Sequence, residues 1–297
     1  MAAGGGPDRR GVVWRIGAYF ILFFALSVVG QIAVSLLPRQ SLSWGGLLVT
    51  SAAALAAGWI VLMRMDGRSP GALGFPLSRS AFGETLQGLV AGALLIAAVA
   101  VLVLIVGGAT FIPDEGTLSG YLSTLIGTFA FFALAAACEE LLFRGYVFQA
   151  LVESVGPWPT IVLTSAVFAV MHAGNPNVDL LALTNIFLAG VLLALAYLRT
   201  RSLWFATALH LGWNWTMSTL LDFPVSGLIY DTPLYSAVES GPDWWTGGAF
   251  GFEAGLAATL VLVGGCVWIY RTEWLQVSQH MRSLEPLVDN RAEMKKF

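Results

Sequence analysis

Eight apolar segments alternate with polar connections along the chain, at about 16–37, 44–63, 86–108, 117–138, 158–172, 180–198, 203–221 and 253–270. Most run for about 20 residues, the length at which a helix rising 1.5 Å per residue crosses a hydrocarbon layer. The pattern predicts an all-α, polytopic membrane protein of about eight transmembrane helices. The fifth segment is short. The fourth reads on as helix through Arg144 to Val152, because no proline intervenes and Gly145 is its one weak position.

The connections predict an orientation. Thirteen of the 15 basic residues fall at the ends that alternate crossings would place on one side, leaving Arg39 opposite and Arg144 inside an apolar run. By the positive-inside rule both termini are cytoplasmic. A cytoplasmic tail is expected over 1–15, a transmembrane domain over 16–271 and a second cytoplasmic tail over 272–297. The connection from Asp222 to Phe252 is longer than usual, which marks it as functional, partly re-entrant or mobile. Trp244 and Trp245 within it suit a membrane interface.

Composition agrees with this reading. Hydrophobic residues make up 57% of the 297 and charged residues only 11%, against roughly 25% charged in a soluble domain. No basic face is present to bind nucleic acid. Cys138 and Cys266 both sit in apolar runs, so neither a disulfide framework nor a CxxC metal motif is expected. The preference for arginine over lysine suggests a GC-rich bacterial genome and hence a bacterial plasma membrane.

The stretch Cys138-Glu139-Glu140-Leu141-Leu142-Phe143-Arg144 changes the picture. From Gly116 to Cys138 no residue is charged, and then three ionisable side chains follow within six positions. A charge in hydrocarbon costs on the order of 3 kcal/mol, so such groups persist where they pair, line a cavity or carry function. Glu140 and Arg144, four apart, share a helix face and can neutralise one another; Glu139 points about 100° away and is left free. The bland alternative is that Glu140 and Arg144 form a purely structural ion pair.

Two of the three histidines also lie in apolar segments: Phe168-Ala-Val-Met-His172 and His210-Leu-Gly-Trp-Asn214. Each pair is spaced i, i+4. A helical hairpin turning near Val155-Gly156-Pro157 would bring Glu139 and His172 to one height, and His210 lies nine residues past Arg201. The three are expected to meet in a buried polar cavity that opens toward the cytoplasm. A carboxylate and two imidazoles in such a pocket suit hydrolysis of a peptide bond. Glu139 would act on a water, His172 would share or orient it, and His210 and Asn214 would face the oxyanion. The alternative is a divalent metal such as zinc on Glu139, His172 and His210; residue types and spacing do not separate the two. The plainer readings are that each histidine is an interhelical hydrogen-bond partner, that Asn185 is packing glue and that Trp213 and Trp215 pack. His280 reads as a surface residue and Cys138 as core.

Together, Glu139-Glu140-x-x-x-Arg144, Phe168-x-x-x-His172 and His210-x-x-x-Asn214, within the motif core 138–215, resemble the CPBP intramembrane proteases, the family of type II CAAX prenyl endopeptidases and bacteriocin-processing enzymes. The resemblance implies a helical bundle with its active site in the membrane and a membrane-associated peptide or protein as substrate. It implies that Glu139 activates water with help from His172, and that His210 and Asn214 complete the site. Glu140 and Arg144 belong to the same signature. Family members include enzymes described as metalloproteases and others described as metal-free, so no cofactor is fixed. The competing class is a non-catalytic scaffold or a proton-coupled transporter, which would show discontinuous helices or repeat symmetry at the site.

Overall fold

Apolar length decides the architecture, because backbone polar groups surrounded by lipid must be satisfied within their own helix. A computed structural model describes residues 9–36, 42–230 and 232–291. The expectations for Arg39, Asp231, Lys295, Lys296 and the outer parts of both tails lie outside those residues. The structure is 75% helical. The long helices are α1 (Arg9–Ser35), α2 (Leu42–Met65), α3 (Arg79–Ile105), α4 (Leu118–Arg144) and α7 (Leu180–Thr200). The shorter ones are α5 (Tyr146–Val155), α6 (Pro157–Met171), α8 (Leu203–Trp215), α9 (Asp243–Thr246), α10 (Leu256–Arg271) and α11 (Gln279–Ser283).

The all-α expectation holds, and this is an integral membrane protein. The count of eight crossings is not confirmed. Five spans are long and apolar enough: Gly11–Ser35, Trp44–Met65, Arg79–Ile105, Leu118–Val155 and Leu180–Thr200. The helices α6, α8 and α10 have 15, 13 and 16 residues, short of the ~20 that cross a bilayer upright. The fourth segment does not run unbroken to Val152, since α4 ends at Arg144 and α5 begins after Gly145. The turn into α6 falls at Gly156.

One feature has no local signal in the sequence. Strand β1 (Ala109–Pro113) pairs antiparallel with β2 (Tyr235–Glu239), Ala109 opposite Glu239. The two strands come from connections far apart in the chain. The long connection is pinned rather than loose. Asp222 accepts from the backbone N–H groups of Thr232 and Ala237 at 3.1 and 2.9 Å, and Phe223 stacks on Phe252 at 4.0 Å. Gly227 has φ +81°, and a Cβ there would lie 2.1 Å from the Pro176 carbonyl oxygen. Only glycine therefore lets this connection press against the α6–α7 turn.

At the opposite end, polar side chains tie the termini to α5. Arg15 pairs with Asp66 and, at 2.6 Å, with Glu153. Tyr146 donates to Asp66 at 2.9 Å. Gln149 donates to the carbonyls of Ala72 and Leu73 and accepts from the Leu287 N–H. The tail is thus docked on α5 over its described part.

Helices α3 and α8 approach through small residues. A Cβ on Gly92 would sit 2.0 Å from the Leu209 carbonyl oxygen, and one on Gly212 would sit 2.3 Å from that of Leu89. Gly88 and Gly92 form a G-x-x-x-G pair, which lets backbones close without side-chain cost. Gly212 lies between His210 and Asn214, so its role is close packing. Replacing Gly92 with valine should push α8 off α3 and lower stability by about 3 kcal/mol or more. The control is Gly127→Ala, whose Cβ meets nothing within 4 Å. Thermal unfolding in detergent should show a large drop for the first and no loss for the second.

Candidate active site

Helix geometry delivers the polar side chains to one place. On α4, the 100° step between neighbours sends Glu140 inward with Arg144 and turns Glu139 toward a cavity. That cavity, ≈ 380 Å³, is lined by Glu139, His172, His210 and Asn214 amid mainly apolar walls that include Phe132, Phe168 and Trp213. Its wall away from the termini comes from the long connection, through Val225, Ser226, Leu228 and Tyr230.

Glu140 is the centre of a buried array. Its Oε1 accepts from Arg144 Nη1 at 3.1 Å and from His210 Nδ1 at 3.1 Å. Both side chains of the ion pair are closed to solvent, 1% and 0% exposed. Arg144 also donates from Nη2 to the Gly190 carbonyl at 2.9 Å, and its guanidinium lies 4.9 Å from the Phe168 ring centre. Phe168 in turn contacts both histidines, with ring centres 4.7 Å from His172 and 6.2 Å from His210.

The acceptors fix the tautomers. Because a carboxylate beside Arg144 can only accept, His210 carries a proton on Nδ1, and Nε2 faces Glu139 with a separation of 3.8 Å from Oε2. His172 caps α6, and its Nδ1 lies 2.7 Å from the Phe168 carbonyl oxygen. A carbonyl also only accepts, so that nitrogen carries the proton and Nε2 is the free one. Glu139 Oε2 and Glu140 Oε2 are buried without a hydrogen-bond partner. Two orphaned carboxylate oxygens beside an imidazole make a place that calls for a water or a substrate N–H.

The other candidates take separate positions. Asn214 lines the cavity one turn beyond His210. Trp213 also lines it, whereas Trp215 packs edge-on against Phe129 and donates to the Leu125 carbonyl. Asn185 clamps the start of α10, donating to the carbonyls of Glu253 and Gly255 at 2.8 and 2.9 Å. Cys138 is buried and His280 exposed. Among the described residues no three His, Cys, Asp or Glu side chains gather to hold a metal ion. Glu139, His172 and His210 therefore do not form a ready three-ligand group, and the metalloprotease reading gains no support from the geometry.

Sequence reasoning passed over Asn175, Ser226, Tyr230 and Glu253, which also line the cavity. Asn175 donates to the Ser226 carbonyl at 3.0 Å, and Ser226 donates from its N–H and hydroxyl to Glu253 at 2.7 and 2.8 Å. Glu253, an acid opening the eighth apolar segment with no basic neighbour, was the one available signal. Burial pushes the Tyr230 phenol above its ordinary value, so it enters the cavity as an O–H donor at neutral pH.

The array yields a stability prediction. Glu140→Gln leaves the Arg144 charge buried and unmatched, which should cost about 3–5 kcal/mol. Adding Arg144→Met removes that orphan, so the double variant should unfold at a higher temperature than Glu140→Gln alone. Equal or lower stability of the double variant would contradict the shared-charge account.

No curated protein matches the chain. The matched stretch of the family comparison covers about a third of the chain and contains Glu139, Glu140, Arg144, His172, His210 and Asn214. Residues 121–216 match the model of the Rce1-like type II CAAX prenyl endopeptidase family.

Proposed function

We propose that this protein is an intramembrane endopeptidase that cleaves a membrane-associated peptide or protein with a water activated by Glu139. The observation that carries the reading is the row Arg144, Glu140, His210, Glu139, in which each acid has a distinct neighbour. Arg144 offsets the charge of Glu140, and Glu140 orients His210. Charge neutrality then requires one further proton, which in the proposed reaction sits on His210 Nε2 and leaves Glu139 ionised as the base.

In the proposed reaction a water sits at Glu139 Oε2, near His210 Nε2. Glu139 removes its proton as the water oxygen attacks the scissile carbonyl carbon. The carbonyl oxygen becomes an oxyanion, which His210 Nε2–H and the Asn214 amide can meet with hydrogen bonds. Collapse breaks the C–N bond, and the proton taken by Glu139 passes to the leaving amine, directly or through His172 Nε2. No step is routed through a metal. The mainly apolar walls suit a substrate segment delivered from the bilayer and exclude competing water.

Membrane peptides that accumulate uncut in cells carrying Glu139→Gln, relative to wild type, identify the substrate. Against that peptide the purified Glu139→Gln protein should lose about 10³-fold or more in kcat, and Asn214→Ala about 10²–10³-fold, with unfolding temperatures unchanged. Retained cleavage by Glu139→Gln would end the assignment. Proton-coupled uptake by reconstituted vesicles without proteolysis would replace it with the transporter reading. Cleavage should also survive a strong chelator; loss on chelation with recovery on added zinc would overturn the metal-free route.

A further inference from the structure

Beyond the cavity, the end of the bundle nearest the termini carries a second site. Arg199, in the last turn of α7, and Arg282, in α11, line a cleft of ≈ 250 Å³ with Glu273, Leu275, Gln276 and Val277. Leu275 also lines an adjoining groove of ≈ 370 Å³, whose other walls include Leu86, Val90, Leu94, Phe205 and Trp268. The polar cleft and the apolar groove therefore adjoin at Leu275.

It is two guanidiniums lining one concavity that mark this cleft, since among the described residues Arg64, Arg79 and Arg271 at the same end also make no ion pair. At the same end of the bundle Arg15, Arg68 and Arg201 are matched to Asp66, Glu285 and Asp289. Among the described residues Arg199 and Arg282 make no ion pair, and Arg199 Nε is buried without a hydrogen-bond partner. Glu273 is the one acid lining the cleft, so two guanidiniums face a single carboxylate. Two guanidiniums without ion-pair partners in one cleft suit an anion, and their planar forks match phosphate.

Geometry supplies the rest of the ligand. Leu86, Val90 and Leu94 repeat every fourth residue, so they form one stripe about 12 Å long running up α3 from its basic end. Trp268 and Trp274, 42% and 88% exposed, flank the groove in the manner of residues at headgroup depth. A phosphate at one end of an apolar channel about 12 Å long, close to the depth of one leaflet, is the shape of an anionic glycerophospholipid. Basic pockets between helices at a membrane surface bind such headgroups.

We infer that Arg199 and Arg282 hold the phosphate of one anionic glycerophospholipid whose acyl chain lies along α3 between α8 and α10. The site is independent of the proteolytic reading, since it shares no lining residue with the Glu139 cavity except through the helices themselves. Bound lipid would tie α7, α10 and α11 together at the level of the docked tail.

The test uses the full chain in nanodiscs of phosphatidylglycerol or phosphatidylcholine, with bound lipid counted by native mass spectrometry. Phosphatidylglycerol should be retained, and Arg199→Gln with Arg282→Gln should weaken it roughly 25-fold, about fivefold for each arginine. Arg271→Gln, which removes a charge outside the cleft, should leave retention unchanged. Ala91→Phe, which fills the groove, should displace lipid while both arginines remain. Equal retention of the two lipids, or equal loss in Arg271→Gln and the double variant, would overturn the site. Binding of inorganic phosphate as tight as that of phosphatidylglycerol, with no effect of Ala91→Phe, would overturn the lipid in favour of a free phosphate.

Discussion

A single carboxylate oxygen organises the region around the cavity. Glu140 Oε1 accepts from Arg144 on its own helix and from His210 on α8, so a local i, i+4 pair becomes a joint between distant elements. Buried charges tolerate no slack, because each lost partner leaves an uncompensated group in a medium of low dielectric. That intolerance is useful here. It fixes the height of α4 against α8 and the rotation of the His210 ring, and so sets where Nε2 meets Glu139.

Around this joint the fold provides closeness and enclosure. Closeness comes from Gly88, Gly92 and Gly212, which let α3 support α8 at backbone distance. Enclosure comes from the long connection, held by Asp222, by the Phe223–Phe252 stack and by the chain from Asn175 through Ser226 to Glu253. A connection of that length, unpinned, would leave the cavity open at that end. Pinned, it gives the site a wall and a second carboxylate, Glu253.

The break at Gly145 separates two duties. Residues before it hold the acids, and α5 after it is fastened to the amino-terminal and carboxy-terminal regions through Glu153, Gln149 and Tyr146. Only Gly145 separates this tethered helix from Arg144.

Much was readable in the residues themselves. Apolar length and the absence of charge determined a helical membrane protein, and three ionisable groups in an apolar run marked the acids. Spacing of four paired Glu140 with Arg144, and Pro157 after Gly156 marked the hairpin. These are local facts, carried by neighbours in the chain. What only tertiary structure decided is non-local: the second partner of Glu140, the tautomers of both histidines, the pairing of β1 with β2, and the arrival of Ser226 and Glu253 at the cavity. Helix count also belonged there, because α6, α8 and α10 are short and hydropathy does not reveal how a short helix is completed by its neighbours. A sequence states which groups cannot bear to be alone; packing alone chooses the company they keep.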